Sequence, residues 1–279
     1  MNHPRRRTLR WAAAGLLALL LAGPTYALPF DINVIFGGGL TPSQQAVFTQ
    51  AENTWESLLP QYQAGISIAS LDITATGVAI DGAGGILGQA GPTLGVEQGG
   101  FFLSTDGIME FDTADLSVLE ANGYLDDVIA HEMAHVMGFG TLWDWNGVYV
   151  EDTGQYTGAA ALAAYRAEFD PAATFVPVEL DGGPGTANGH WDEAWAGGPN
   201  ALMTGYLGTS TFISNTTVRS FVDIGYVPEP TTGLLLGFGL AGLAIHRRRQ
   251  PYSVETQSAA RAALLRTRPR AKLSLRAPG

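Results

Sequence analysis

Two histidines four residues apart enclose a glutamate in the run His131-Glu132-Met133-Ala134-His135. On a helix, residues four apart share one face, so both imidazoles can reach one ion. At roughly 100° per residue, Glu132 falls about 60° around the helix from His135, beside such an ion rather than opposite it. Neutral imidazoles suit zinc, and a carboxylate so placed can take a proton from a water that the metal polarises. Hydrolytic zinc uses three protein ligands and leaves one position for water. The run supplies two. Gly138 stands three residues after His135, but position 141, where the short form of this motif carries a histidine, is Thr141. Of the 5 histidines, His3 and His246 belong to the terminal segments, which leaves His190 in Asn188-Gly189-His190-Trp191-Asp192. The carboxylates of Asp144, Glu151 and Glu193 are alternative third ligands.

Such a pair needs a helix pinned in a core. Leu125, Val128, Ile129, Met133, Val136 and Met137 recur at helical spacing and predict a helix from Leu125 to Met137 with one apolar side. Thr41-Pro42 opens another, as an N-cap residue with proline at the first helical position should. Its apolar positions Ala46-Val47, Ala51, Trp55 and Leu58-Leu59 run up to Pro60. Asp31–Phe36 and Ile66–Ile73 alternate as strands do, while residues 77–100 read as short, glycine-punctuated strands and turns. Beyond Met137 the chain is loop-rich to about 226, with a short helix over 159–168. The order of elements predicts an α+β fold.

The 279 residues are 46% hydrophobic and only 15% charged, which excludes charge-driven disorder. The absence of cysteine excludes a disulfide scaffold, a thiolate metal site and a cysteine nucleophile. The net charge of −11 is unevenly distributed: between residues 28 and 229 stand 25 acidic residues against only Arg166 and Arg219. Such a surface repels phosphate backbones and excludes nucleic acid as a partner. The acidic turns Asp112-Thr113-Ala114-Asp115 and Asp126-Asp127 are candidates for calcium, although no EF-hand spacing is present. Trp143-Asp144-Trp145 and Trp191-Asp192-Glu193-Ala194-Trp195 place aromatics where they could wall a substrate pocket or simply pack.

The ends carry addresses. Arg5, Arg6, Arg7 and Arg10, the apolar run from Trp11 to Ala22 and Thr25-Tyr26-Ala27 predict an export signal over residues 1–27. Near the other end, Val227-Pro228-Glu229-Pro230 precedes an apolar run from Thr231 to Ile245 and the cluster His246-Arg247-Arg248-Arg249, followed by a basic tail over 250–279. Proline motif, apolar span and basic cluster resemble, in order, the PEP-CTERM sorting signal of Gram-negative bacteria over residues 227–249. The resemblance implies export to the cell surface, membrane contact through residues 231–245 and processing by an exosortase-type enzyme.

The stretch from His131 to Trp143 resembles the zinc helix and glycine turn of the leishmanolysin family of metzincin peptidases. In that family the third histidine is displaced from the helix by an insertion, which implies His190 here. Asn200-Ala201-Leu202-Met203-Thr204-Gly205 resembles its Met-turn and implies Met203 beneath the metal. Asp81–Gly91 and Asp223–Tyr226 add to the likeness. Three features depart from it: the family's disulfides have no counterpart, neither does the cysteine by which its propeptide inhibits, and Tyr206 follows Met203 by three residues rather than the two at which some metzincins carry a catalytic tyrosine. The resemblance implies an N-terminal subdomain over 28–141, a C-terminal one over 142–226, a single zinc per chain, and residues 84–91 as an edge against which a peptide extends. The expected function is an exported zinc endopeptidase with Glu132 as general base. A non-catalytic surface or matrix protein with a metal-stabilised fold, and a zinc hydrolase of cell-wall amides, are the competing readings.

Overall fold

Residues 28–230 are described by the computed structural model, so the expected export signal, the apolar run 231–245 and the tail 250–279 lie outside the described residues. The first strand, β1 (Ile32–Gly38), leads into α1 (Pro42–Leu58), whose start is fixed by a reciprocal capping box. The Thr41 hydroxyl accepts the Gln44 N–H at 3.3 Å and the Gln44 side chain accepts the Thr41 N–H at 2.9 Å. The buried stripe of α1 is Gln44, Phe48, Ala51 and Trp55. Ala46 faces solvent, because the stripe follows the larger Phe48.

After the two-residue β2 (Gln61–Tyr62) come β3 (Leu71–Val78), β4 (Gly88–Gln98) and β5 (Phe101–Asp112). They form one sheet with β1 in the order β1-β3-β5-β4. The first three strands are parallel, and β4 runs antiparallel to β5 at one edge. Two expectations are corrected here. Ile66 and Ile68 are buried but lie in irregular chain ahead of β3, so their alternation reflects core packing without a ladder. Residues 88–98 form one long strand rather than short pieces; its glycines and Pro92 are absorbed by register shifts around Leu94.

Helices α2 (Leu116–Asn122) and α3 (Leu125–Met137) follow. The α3 helix lies so close to β5 that a Cβ on Gly107 would stand 2.3 Å from Val136 Cγ1. It is joined to α1 by the Trp55 indole N–H, which donates to the Ala130 carbonyl at 2.9 Å.

Beyond Met137 regular structure is sparse: β6 (Gln155–Tyr156), α4 (Ala159–Glu168), β7 (Val176–Pro177), α5 (Asn215–Val222) and β8 (Tyr226–Val227). Two of these helices cap each other. Glu168, at the end of α4, accepts the N–H groups of Asn215 and Thr216 at the start of α5. Asp223, just past α5, accepts those of Ala160 and Ala161 at the start of α4. The core of this region is aromatic, with Trp191 stacked against Trp143 at 5.1 Å and against Trp195 at 5.7 Å. The fold of the described residues is α+β, with five helices and a mixed sheet. Among the described residues, no helix is long and apolar enough to cross a membrane.

Candidate metal centre

The α3 helix carries Asp126 and Asp127 in its first turn, where negative charge complements the helix dipole. It ends at Gly138, whose φ of 117° few other residues adopt. That turn brings the Phe139 carbonyl back over the helix end, where it faces His135 Nδ1 at 2.9 Å. The Thr141 hydroxyl donates to the His135 carbonyl at 2.7 Å. Position 141 therefore closes the helix terminus and ligates nothing.

His131 and His135 meet His190, which arrives from irregular chain 55 residues beyond His135. The three Nε2 atoms stand 3.0 Å from one another in every pairing. Each ring's other nitrogen faces a backbone carbonyl: His131 Nδ1 to Leu202 at 2.6 Å, His135 Nδ1 to Phe139 and His190 Nδ1 to Thr186 at 2.8 Å. A carbonyl only accepts, so each Nδ1 carries the proton and each neutral ring turns a lone pair toward the common centre.

Three lone pairs at this separation repel unless a cation lies among them. Protonating a ring does not answer the need, because burial holds all three imidazoles below their ordinary range and takes His190 down to about 3. The donor set fits zinc. Bonds of ~2.0–2.1 Å at the tetrahedral angle set ligand nitrogens ~3.3–3.4 Å apart, a few tenths of an ångström wider than the triangle found. Among the described residues these three side chains are the one group of metal-ligating type that converges in this way.

Glu132 is 6% exposed and lies against the first residue of β4, where a Cβ on Gly88 would come within 2.9 Å of Glu132 Oε1. Burial pushes its carboxyl up to about 8. The triad and Glu132 open onto a cleft of about 980 Å³ that runs along Gly84–Ala90 on one side and Gly185–Gly189 on another. Asp144 and Glu151 line this cleft without joining the triad, while Glu193 accepts the Gly205 N–H at 2.8 Å. None of the three belongs to the convergent group that could hold a metal. Met203 is fully buried, and its carbonyl accepts the N–H of Trp191, next to His190, at 2.9 Å.

Of the acidic turns, Asp127 lines the cleft, whereas Asp112 and Asp115 brace its wall from behind and the tryptophans lie outside it. Asp112 accepts the N–H groups of Asp81 and Gly82 at 2.9 and 2.8 Å, and Asp115 accepts that of Gly84 at 2.8 Å. Backbone donors, that of Ala114 first, hold the Asp112 carboxyl below its ordinary range. These carboxylates thus pin the glycine loop that walls the cleft, a role that composition alone did not reveal. Trp143, Trp191 and Trp195 are core residues and Trp145 is exposed on Phe102; among the described residues no tryptophan lines the cleft. The carbonyls of Leu202, Phe139 and Thr186 were invisible to sequence reasoning, since any residue offers one.

Residues 227–249 match the PEP-CTERM protein-sorting motif. No curated protein matches the chain. The motif points to an exported, cell-surface-associated bacterial protein recognised by an exosortase-type processing enzyme.

Proposed function

We propose that this chain is an exported, zinc-dependent endopeptidase. The observation that carries the reading is the triad of Nε2 atoms, each aimed by a carbonyl behind its ring, with a buried carboxylate one residue along the helix from His131. His131, His135 and His190 would hold the ion. When bound there, zinc supplies Lewis acidity, polarising a water and a substrate carbonyl oxygen. Glu132 takes the proton that the water gives up as its oxygen bonds to the carbonyl carbon. The same carboxyl then delivers that proton to the amine nitrogen as the C–N bond breaks. A nearby cation favours the ionised carboxylate, drawing Glu132 back from about 8 toward the range a general base needs.

Among the described residues, strand β4 has a neighbour only on its β5 side, and its residues Gly88–Ala90 line the cleft. Its free edge offers backbone hydrogen bonds to an extended peptide, which favours a polypeptide substrate over a small amide. The resemblance to leishmanolysin-type metzincins supports the same assignment, with Met203 in the turn that supplies the Leu202 carbonyl to His131. The test is Glu132→Gln in the full chain. The variant is expected to keep one zinc per chain and to lose peptide hydrolysis by about 10²–10⁴-fold. Equal turnover by variant and parent refutes the catalytic assignment. Zinc binding without turnover by the parent on peptides or cell-wall amides would leave a metal-stabilised surface protein.

A further inference from the structure

The sheet has a second edge, at the opposite end of the strand order from β4 and the cleft. Among the described residues, β1 pairs with β3 alone. The Asp31 carbonyl accepts the Leu71 N–H at 2.8 Å, so by the alternation of an extended strand Asn33 and Ile35 also turn their backbone groups toward β3. Those of Ile32, Val34 and Phe36 turn outward. Glu56 of α1 accepts the Ile32 N–H at 2.8 Å and closes that end of the edge. Val34 and Phe36 keep two N–H and two C=O groups without a hydrogen-bond partner among the described residues. Edges of this kind are ordinarily blunted by charge, proline or a bulge. Strand β1 contains no ionisable residue and no proline, and its register shifts only after Phe36. Phe36 packs on Phe48 of α1 at 5.2 Å, so Ile35 points to the other face, where it is 49% exposed.

The occupant that fits this edge is a second copy of the chain. An antiparallel pairing with a two-fold axis at Ile35 sets Val34 of each copy opposite Phe36 of the other. Both are hydrogen-bonded positions, so four backbone bonds form and every outward group of the two residues is used. Ile35 then faces Ile35, an apolar cross-strand pair in place of two exposed side chains. Charge selects the same direction. Asp31, Glu52 and Glu56 gather at the Ile32 end, where burial, then Glu56 and Asp31, raise the Glu52 carboxyl above its ordinary range. The two-fold axis sets this acidic end against Gly38 of the other copy and the start of its α1, whose first turn has no acidic residue and where the helix dipole is positive. A parallel pairing would set the acids on one another. We propose that the protein forms a homodimer through β1, joining two four-stranded sheets into one of eight strands with a cleft at each outer edge. This pairing depends on neither the metal nor the peptidase reading.

The chain has no cysteine, so a single introduced one reports the pairing. Facing Ile35 residues stand ~4.5 Å apart at Cα, within disulfide reach, whereas the two Asn33 residues lie four positions out of line, ~13 Å apart. Under mild oxidation of the full chain in detergent, Ile35→Cys is expected to cross-link about half or more of the molecules into dimers, and Asn33→Cys less than about a tenth. In analytical ultracentrifugation the parent should be a dimer that dissociates on dilution. Ile35→Glu opposes like charges at the axis and should raise the Kd about tenfold or more, with a melting temperature near the parent's. Should Ile35→Glu fail to fold, the two cysteine variants decide alone. A parent that is monomeric at ~100 µM, which would leave the edge to a foreign strand or to none, overturns the proposal. Equal cross-linking at the two cysteine positions, or a dimer that a folded Ile35→Glu leaves intact, does the same.

Discussion

The site is assembled from two halves that hold their histidines by different means. His131 and His135 ride on α3, where helix geometry alone sets their spacing and Ile129, Met133 and Val136 are fully buried beneath them. His190 sits in irregular chain, held by single contacts: its carbonyl accepts the Glu179 N–H at 2.9 Å, and Trp191 beside it bonds to Met203 and stacks between Trp143 and Trp195. A helix shares its load over many equivalent hydrogen bonds, whereas the loop half depends on a few anchors. His190 is therefore the vulnerable member of the triad, and a metal bound there would tie that half to the other.

The sharpest way to break the comparison is to remove the anchor. Trp191→Ala leaves a cavity in a fully buried stack and is expected to cost about 3–5 kcal/mol in urea unfolding. It should also lower zinc retention, although Trp191 touches no metal. On the helix half, Gly107→Ala forces a Cβ to within 2.3 Å of Val136 Cγ1 and should cost about 1–3 kcal/mol by displacing α3 from the sheet. Gly88→Ala presses on Glu132 instead, so its expected signature is a fall in kcat with zinc content unchanged.

A pH series on the metal-free chain sharpens the contrast. The imidazoles have folded pKa values below 6.5, so their contribution favours the fold above that pH and is lost as pH falls, for His190 toward about 3. Glu132 works oppositely: raised from 4.5 to about 8, its contribution is present below 4.5 and lost as pH rises through about 8. In chelator, the parent's melting temperature should decline from about pH 6.5, above which the imidazoles no longer oppose the trend, to about pH 8 and then level off, and Glu132→Gln should not share that decline. The smallest effect is expected from Asp223→Ala, which uncaps α4 at a distance from the site and should cost about 1 kcal/mol without altering zinc content.

The two halves also differed in how far the sequence revealed them. The extents of α3 and α4 were readable because apolar periodicity and end signals were local, and the spacing of His131 and His135 followed from the helix itself. His190 was reached by elimination among few histidines, and the 55-residue connection to it had no local signal of convergence. The β4–β5 pairing was hidden by glycines, and α5 by the polar run Asn215-Thr216-Thr217, whose start is stabilised by the distant Glu168. Periodicity reports what a segment does alone; it is silent on carbonyls, caps and carboxylates recruited from far along the chain.

The most direct test of the central claim is the zinc content of the purified full chain, compared with that of His190→Ala after the same dialysis. The account predicts one zinc per chain in the parent and less than about a tenth of that in the variant. A parent without bound metal, or a variant that retains zinc as the parent does, would contradict it.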